Sequence, residues 1–460
     1  MRVPCPYPQW VKECVALGAP SVNTQTGQWT HHLGWQLLRV QAQRRQLELE
    51  QRQQQLLSVR PLGTLPPKLI AMCEQPSVED LAARLLSTAR KLSRSAQFKK
   101  YRLFLPEICQ MLAEQIFNFE YVPKPYAYFI VTDPKPREVF APHFYDRIVQ
   151  RWFVLETEPH FDTRFLPNAY AHRKGRGPHK AIRDLRNKLR NRSLTYYLKA
   201  DIKNFFYSIH RPTLWNLLQK HWFRYVENHP YYRWLVYIAK TIVFSDPTRN
   251  FYMTCPRSLI KLLPSHKSLF NGDVERGLPL GSATSQLLAA IYLHELDRFI
   301  VHELKLKHYF RYVDDFVILG SEETRLQTTL NSIDQFLKKR LEISLHPNKR
   351  IIQPVRYGID FVGYVVWSRR TLVRQTTVKR MFYRFEQLSK LTSGQKVRLT
   401  DLHKSLRNLI LRGARGSQLD NLIQKAFKSM QVAYKGWLVH ADAHSLRIML
   451  LTNHFSAPYG

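Results

Sequence analysis

Two adjacent carboxylates, Asp314 and Asp315, lie between apolar and aromatic runs in the segment HYFRYVDDFVILG, 308–320. The β-type residues on both sides predict a hairpin with the two aspartates as its two-residue turn, because aspartate tolerates the backbone conformation of such turns. Adjacent carboxylates repel each other, and a divalent cation would remove that repulsion. The alternative is a solvent-exposed turn in which the two acids only add solubility.

A third carboxylate, Asp201, ends a β-rich run in LTYYLKADIKNFFYSIH, 194–210. Two or three carboxylates at strand ends can hold two Mg²⁺ ions about 4 Å apart. One ion then activates a hydroxyl group for attack and the other stabilises a leaving pyrophosphate, so the protein needs no nucleophile of its own. Alone, an aspartate after a strand indicates little, and the combination with the double carboxylate is what favours a metal site.

Between these carboxylates in the chain, a loop of Gly, Pro, Ser and Thr leads into a long predicted helix in GLPLGSATSQLLAAIYLHELD, 277–297. Glycines such as Gly281 let the backbone approach a sugar or base closely, and Gln286 offers a side-chain amide to it. An ordinary helix start is the alternative. The order of carboxylate, glycine-rich loop and double carboxylate favours a nucleotide site.

The elements that must position these residues follow from hydrophobic periodicity. Short β-rich runs alternate with long helical stretches, which predicts a small sheet in an α+β or α/β domain; the runs are 127–131, 196–202, 308–320 and 359–366. Ser77 and Asp80 form a capping-box pattern that opens a helix to about Leu92. Further helices are predicted at 33–57, from Thr400 to Gly413, and at 417–432 and 442–452, so that residues 371–460 look all-helical.

The charge of the chain indicates its class of partner. Across 460 residues, 70 Lys and Arg stand against 35 Asp and Glu, which gives a formal net charge of +35. This excess is spread along the whole chain, and a folded protein with that balance usually binds a polyanion by releasing counterions from phosphates. Composition alone leaves a ribosome-associated or a membrane-surface protein as alternatives.

The cysteines and the apolar runs indicate a compartment. Five scattered cysteines without a C-x-x-C pair suggest neither a zinc knuckle nor a disulfide framework. The N-terminus lacks a signal-peptide pattern, and no run approaches the ~18 apolar residues of a membrane span. We therefore expect a soluble cytoplasmic protein that does not associate with a membrane.

Together the three segments resemble the palm of reverse transcriptases, with motif A around Asp201, motif B at 277–297 and the Tyr-Val-Asp-Asp box of motif C at Asp314 and Asp315. Other stretches are similar to the fingers motifs and to motif D with the primer grip, in that order: PKPREVFAPHFYDRIVQ (134–150), FLPNAYAHRKGRGPHKAIRDL (165–185) and LEISLHPNKRIIQPVRYGIDFVGYVV (341–366). In all, the resemblance covers roughly residues 97–450.

Within that superfamily the chain most resembles the reverse transcriptases of bacterial diversity-generating retroelements. The likeness rests on KSLFN (267–271), Thr-Ser-Gln at 284–286 and GWLVHADAHSLR (436–447). Defence-associated bacterial reverse transcriptases, which act in antiviral systems, share much of this pattern and are the competing assignment. The chain departs from the retroelement pattern in motif B, which reads GSATSQ, and in an N-terminal region without a recognised counterpart.

The resemblance implies an α+β right-hand polymerase with fingers, palm and helical thumb, preceded by a mostly helical N-terminal extension. The expected stretches are an accessory region at 1–96, fingers with the start of the palm at 97–200, a palm at 201–370 with an aromatic-rich insertion at 221–270, and a thumb at 371–460.

By resemblance, Asp201 and Asp314 would ligate both metals with help from the Ile202 carbonyl, and Asp315 would be a weaker ligand. The ions would be two Mg²⁺, with Mn²⁺ as an alternative. Lys349 matches the lysine of motif D, which would protonate the leaving pyrophosphate.

The resemblance also implies substrate contacts. Lys135 and Arg137 would clamp the triphosphate, with general surface charge as the alternative. Phe206 matches the steric gate that excludes a ribose 2′-hydroxyl, with a core aromatic as the alternative. Leu280 stands where many reverse transcriptases have a nucleotide-contacting Gln, so we hypothesise low fidelity or unusual base choice; the alternative is a packed loop leucine.

The implied activity is RNA-directed DNA synthesis with dNTPs, a DNA or RNA primer and a template RNA, expected to be a cognate non-coding RNA. An accessory protein or a second copy of the chain would bind through residues 1–96. Two rivals stand beside this activity: an RNA-templated RNA polymerase, against which Phe206 argues, and a structural RNA-binding subunit of a ribonucleoprotein.

Overall fold

The protein is described by a computed structural model that covers residues 76–132, 135–392 and 417–442. The predicted helices at 33–57 and from Thr400 to Gly413, and nearly all of 442–452, lie outside the described residues. Within them, no helix is both long and apolar enough to cross a membrane.

Helices and strands alternate along the described chain, which confirms the mixed α and β character predicted from the sequence. The helices are α1 (Val78–Arg90), α2 (Ala96–Tyr101), α3 (Leu105–Phe117), α4 (Phe144–Asp162), α5 (Pro178–Lys188), α6 (Phe205–Ser208), α7 (Arg211–Leu217), α8 (Tyr232–Phe244), α9 (Ala283–Arg298), α10 (Glu323–Arg340), α11 (Gln375–Thr392) and α12 (Ser417–Leu438). The strands are β1 (Tyr126–Val131), β2 (Arg137–Ala141), β3 (Tyr196–Ile202), β4 (Phe251–Met253), β5 (Tyr309–Tyr312), β6 (Asp315–Gly320), β7 (Leu345–Pro354), β8 (Ile359–Phe361), β9 (Tyr364–Val366) and β10 (Thr371–Val373).

The chain forms two compact units. The first comprises the described residues of Met1–Ile130 with Arg137–Phe153 and Val226–Ala283. Its sheet has the order β2-β1-β4, and β4 pairs in parallel with β1. Helices α1 and α3 pack against each other through buried apolar faces, and α1 begins with the predicted capping box, in which the Ser77 side chain accepts from the Asp80 amide and Asp80 accepts from the Ser77 amide.

The second unit, Val131–Pro136 with Val154–Tyr225 and the described part of Thr284–Gly460, contains the carboxylates. Its main sheet has the order β5-β6-β3-β7, with β3 antiparallel to both neighbours. Helix α10 contacts β3, β6 and β7, and Leu326, Ile333 and Leu337 on this helix are buried. Helix α9 is buried on most of its circumference, as expected for a helix in the interior of a unit.

A second small sheet, β10-β9-β8, follows the main sheet in the chain. One apolar core joins it to α11 and α12, with Phe361 and Val366 fully buried beside Phe385 of α11. The expectation that residues 371–460 are all-helical is wrong at its start, because residues 371–373 pair with β9 as a strand. Helix α12 also extends past the predicted end at 432 to Leu438.

Candidate active site

Asp201 and Asp315 lie directly opposite each other on the adjacent antiparallel strands β3 and β6. Asp201 is the penultimate residue of β3 and Asp315 the first residue of β6. Cross-strand neighbours have Cβ atoms about 5 Å apart, and like charges at that distance destabilise a sheet. Folding alone therefore gives no reason for this pair, whose geometry suits a shared cation.

The turn that carries Asp314 differs from the predicted one. Tyr312 pairs with Asp315, so the two turn residues are Val313 and Asp314 rather than the two aspartates. The positive φ of 57° falls on Val313. A β-branched residue pays a steric cost in this left-handed region, so the turn is strained at the residue that precedes Asp314.

Burial and the neighbouring negative charge raise the pKa values of Asp314 and Asp315. Burial and then the Asp201 charge raise the pKa of Asp314 to about 7. Burial also raises the pKa of Asp315 to about 6, against the opposing effect of Lys199 and with a further increase from Asp201. Both groups therefore hold protons more strongly than ordinary aspartates, and a cation that displaced those protons would relieve the repulsion.

Two lysines offset part of the negative charge of the three aspartates. The Lys349 ammonium forms an ion pair and hydrogen bond with Asp201, from an irregular stretch of β7 where the pairing with β3 shifts register between Ala200 and Ile202. Lys199, two residues before Asp201 and so on the same face of β3, places its Nζ 3.6 Å from Asp315 Oδ2. Ile202 is buried at the end of the strand.

Lys199 also connects the carboxylates to the second small sheet. Its Nζ donates a hydrogen bond of 2.5 Å to the Asp360 carbonyl of β8 and lies 3.8 Å from Asp360 Oδ1. Arg374, just before α11, forms an ion pair with the Asp360 carboxylate. Asp315 and the start of α11 are thus joined by a chain of alternating charges.

Phe206 and Gln286 line one pocket in the second unit, together with His172, Arg173, Arg311 and Val313 among others. Phe205, the preceding residue, is buried, whereas Phe206 is half-buried and meets the Phe205 ring edge-on at a centroid distance of 5.5 Å. The core-aromatic alternative for Phe206 therefore describes Phe205 better. Gln286 is exposed in the first turns of α9.

Arg137, Leu280 and Gly281 lie in the first unit. Arg137 is exposed at the start of β2, and the Leu280 carbonyl accepts a hydrogen bond of 2.9 Å from the Phe140 amide of the same strand. Gly281 has a φ of +114°, and a Cβ there would lie 2.8 Å from Val139 Cγ1. The positive φ and this close approach favour glycine at 281, and the hydrogen bond from Phe140 to Leu280 holds the loop on β2. Lys135 is exposed and belongs to the second unit.

The carboxylate oxygens of Asp201, Asp314 and Asp315 are the type of donor that a hard divalent cation such as Mg²⁺ prefers. Asp315 Oδ1 is buried and has no hydrogen-bond partner in the described structure. Among the described residues, no group of three or more His, Cys, Asp or Glu side chains is arranged as a ready-made metal cage. Mg²⁺ usually takes only one or two carboxylates and completes its shell with water and substrate phosphates, so an all-protein cage is not required.

Three charged residues near the carboxylates do not stand out in the sequence: Lys199, Asp360 and Arg374. Lys199 could have been found, because the period-two alternation of a strand places it beside Asp201. Asp360 meets Lys199, and Arg374 meets Asp360, only through tertiary folding, so no local pattern indicates them.

Residues 123–366, more than half of the chain, match the family described as Reverse transcriptase (RNA-dependent DNA polymerase). Protein YkfC of Escherichia coli (strain K12) is 24% identical over 300 residues, which cover 57% of this chain and 72% of YkfC. The group II intron-encoded protein LtrA of Lactococcus lactis subsp. cremoris is 22% identical over 286 residues, 58% of this chain but 43% of LtrA.

Among solved structures, telomerase from Candida albicans with a TWJ fragment of telomeric RNA aligns with a TM-score of 0.39 and 11% identity, over 69% of this chain and 57% of that one. This similarity is too weak to add to the sequence match. The chain thus spans less than two thirds of both LtrA and the telomerase chain.

Proposed function

The chain belongs to the reverse transcriptase (RNA-dependent DNA polymerase) family, and from that premise we propose that it copies an RNA template into DNA by two-metal nucleotidyl transfer. The proposal rests above all on Asp201 and Asp315, paired across two strands with Asp314 in the adjoining turn. The family generally depends on divalent metal, and we assign two Mg²⁺ here, with Mn²⁺ as a substitute.

In this reaction the 3′-oxygen of a primer attacks the α-phosphorus of a dNTP, and the bond from that phosphorus to the pyrophosphate oxygen breaks. Asp201 and Asp314 would hold both ions, with the Ile202 carbonyl and Asp315 completing the protein ligands. When bound, the ions lower the pKa of the attacking hydroxyl and stabilise charge on the leaving pyrophosphate.

The surrounding side chains would bind and orient the substrates. Lys349 would leave Asp201 once a metal neutralises that carboxylate, which frees its ammonium to give a proton to pyrophosphate. Lys135 and Arg137, both exposed, would bind the triphosphate oxygens. Phe206, half-buried at the pocket, would exclude a 2′-hydroxyl.

Gln286 shares the pocket of Phe206 and would bind near the sugar or base of the nucleotide. In the first unit, the loop at Leu280 and Gly281 would approach the nucleotide through its backbone. Within the right-hand architecture, we assign residues 97–200 to fingers, 201–370 to palm and 371–460 to a largely helical thumb.

For the biological context, we propose a diversity-generating retroelement or a related bacterial antiviral defence system, acting on a cognate non-coding RNA. The sequence likeness of the KSLFN segment, 267–271, is the basis of this proposal; in the structure Ser268 Oγ and the Leu269 amide both donate to the buried Glu138 of β2, at 3.0 and 2.5 Å. The genes beside this one would test the assignment, because a variable-repeat target gene supports the first context and a defence island the second.

Extension of a primed RNA template tests the activity, with dNTPs or rNTPs and with or without Mg²⁺. We expect metal-dependent DNA synthesis by the wild type and a loss of at least about a thousandfold in Asp314→Asn, because the negative charge that would bind both ions is gone. Glu323→Gln is the matched control, since it neutralises an exposed acid at the start of α10. Efficient synthesis from rNTPs would instead indicate an RNA polymerase, and no product from the wild type would indicate a structural RNA-binding protein.

A further inference from the structure

A buried ion pair lies directly beneath the strained turn. Arg311 on β5 is 2% exposed and Asp297 on α9 is 0% exposed. The guanidinium binds the carboxylate with both arms, Nε to Oδ1 at 2.6 Å and Nη2 to Oδ2 at 2.5 Å. Buried pairs of this kind contribute little net stability, because desolvation offsets most of their attraction, so stability alone does not account for it.

The remaining nitrogen of the guanidinium contacts the turn that carries Asp314. Arg311 Nη1 donates a hydrogen bond of 3.0 Å to the carbonyl of Val313. Val313 is the residue with φ +57°, a conformation that costs a β-branched residue about 1–3 kcal/mol. Such a conformation persists only where surrounding contacts hold it, and the Val313 carbonyl belongs to the peptide group that leads into Asp314.

The backbone of Arg311 and the carboxylate of Asp297 are both held by further hydrogen bonds. The Arg311 amide donates to the Asn168 carbonyl at 2.8 Å, and the Arg311 carbonyl accepts from the Tyr170 amide at 3.0 Å. Asp297 Oδ1 also accepts from the Tyr309 hydroxyl at 2.7 Å. Although burial opposes it, Asp297 raises the pKa of Arg311, so the guanidinium keeps its charge at every working pH.

We propose that Arg311 is a positioning residue, which holds the Val313 carbonyl and thereby sets the direction in which Asp314 presents its carboxylate to the metals. Asp297 orients Arg311 for this purpose. The inference rests on the proposed function, because it takes Asp314 to be a metal ligand.

The test must separate positioning from stability. Removing one partner of a buried pair leaves an unpaired charge, whereas replacing both by apolar residues is often close to neutral. We therefore compare Tyr309→Phe with Tyr309→Phe/Asp297→Leu/Arg311→Met. Tyr309→Phe is the matched control: it loses a buried hydrogen bond to Asp297 but keeps the contact between Arg311 and Val313.

We expect both proteins to fold with similar melting temperatures. The triple variant should lose about 10–100-fold in kcat with little change in the KM for dNTP, because small misplacements of a catalytic group cost that much. Its affinity for Mn²⁺, measured by electron paramagnetic resonance without nucleotide, should fall about tenfold, which corresponds to about 1.4 kcal/mol. A folded triple variant with the kcat and Mn²⁺ affinity of Tyr309→Phe would overturn the proposal.

Arg311→Lys provides a second test if the triple variant does not fold. It keeps the positive charge beside Asp297 but lacks the planar fork that reaches the carboxylate and Val313 together. We expect weaker Mn²⁺ binding and a lower kcat, and wild-type values of both would refute the role. A wild type that binds Mn²⁺ but makes no DNA would contradict the proposed function, whereas the Mn²⁺ comparison would still test Arg311.

Discussion

Replacing Lys199 by methionine should change how strongly magnesium binding depends on pH. Lys199 Nζ lies 3.6 Å from Asp315 Oδ2, and the two side chains are 16% and 26% exposed. At an effective dielectric constant of about 20, this attraction is about 5 kcal/mol before solvent screening and the competing Asp360 reduce it. A net change of about 1–2 kcal/mol corresponds to roughly one pH unit, so the pKa of Asp315 should rise from about 6 to near 7.

The direction of this pH effect follows from competition between a proton and the metal for the Asp315 carboxylate. Magnesium binds the ionised carboxylate, so a higher pKa weakens binding wherever the proton is still present. At pH 6, Lys199→Met should therefore need about fivefold more Mg²⁺ for half-maximal synthesis than the wild type, because the fraction of ionised Asp315 falls from about one half to about one tenth. At pH 8.5 Asp315 is ionised in both the wild type and the variant. The variant should then need the same or less Mg²⁺, because a cation that repels the metal is gone.

Primer extension at saturating dNTP, titrated with Mg²⁺ at several values between pH 6 and 8.5, measures this dependence. Lys338→Met is the matched control, because it removes an exposed lysine that pairs with Asp334 on α10. A constant ratio of Mg²⁺ requirements between Lys199→Met and wild type across that pH range would refute the reasoning, as would the same pH dependence in Lys338→Met.

Two further substitutions test the substrate contacts, and a third tests the loop that precedes α9. Phe206→Val should raise incorporation of rNTPs relative to dNTPs by about tenfold or more, since the ring no longer fills the space of a 2′-hydroxyl; an unchanged ratio would contradict the steric gate. Leu280→Gln should lower the misincorporation rate, and equal error rates would sink the fidelity hypothesis. Gly281→Ala should destabilise the protein by about 1–3 kcal/mol in urea unfolding, because of its positive φ and the Val139 contact; an unshifted midpoint would show that the loop relaxes.

The sequence predicted the strands that carry the carboxylates because each strand has a strong local pattern. The β-rich runs at 196–202 and 308–320 became β3, β5 and β6, within one or two residues of the predicted bounds. The antiparallel register of β3 and β6 then brings Asp201 opposite Asp315. That register depends on tertiary pairing, so the sequence predicted the proximity only through the order of its motifs. The catalytic roles of these residues remain proposals.

The turn shows why local propensity fails where a site is under strain. Aspartate tolerates a positive φ better than valine does, so turn statistics place Asp314 and Asp315 in the loop. In the structure Val313 takes the unfavourable conformation instead. The contact that compensates for it comes from Arg311, whose orientation depends on Asp297, a residue on a different element. Arg311 and Val313 are only two residues apart, but nothing in their local sequence indicates that Asp297 orients the guanidinium.

The charges of the chain are a second feature for which the sequence predicts less than the structure shows. The formal net charge of +35 predicts a polyanion partner but not which cations face the site. The structure shows Lys199 and Lys349 bound to the carboxylates that a metal would occupy. Each lysine therefore compensates the charge of the acids and would oppose a metal ion bound to them. If metal binds at these acids as proposed, the negative charge of a triphosphate arriving with the ion would offset that opposition.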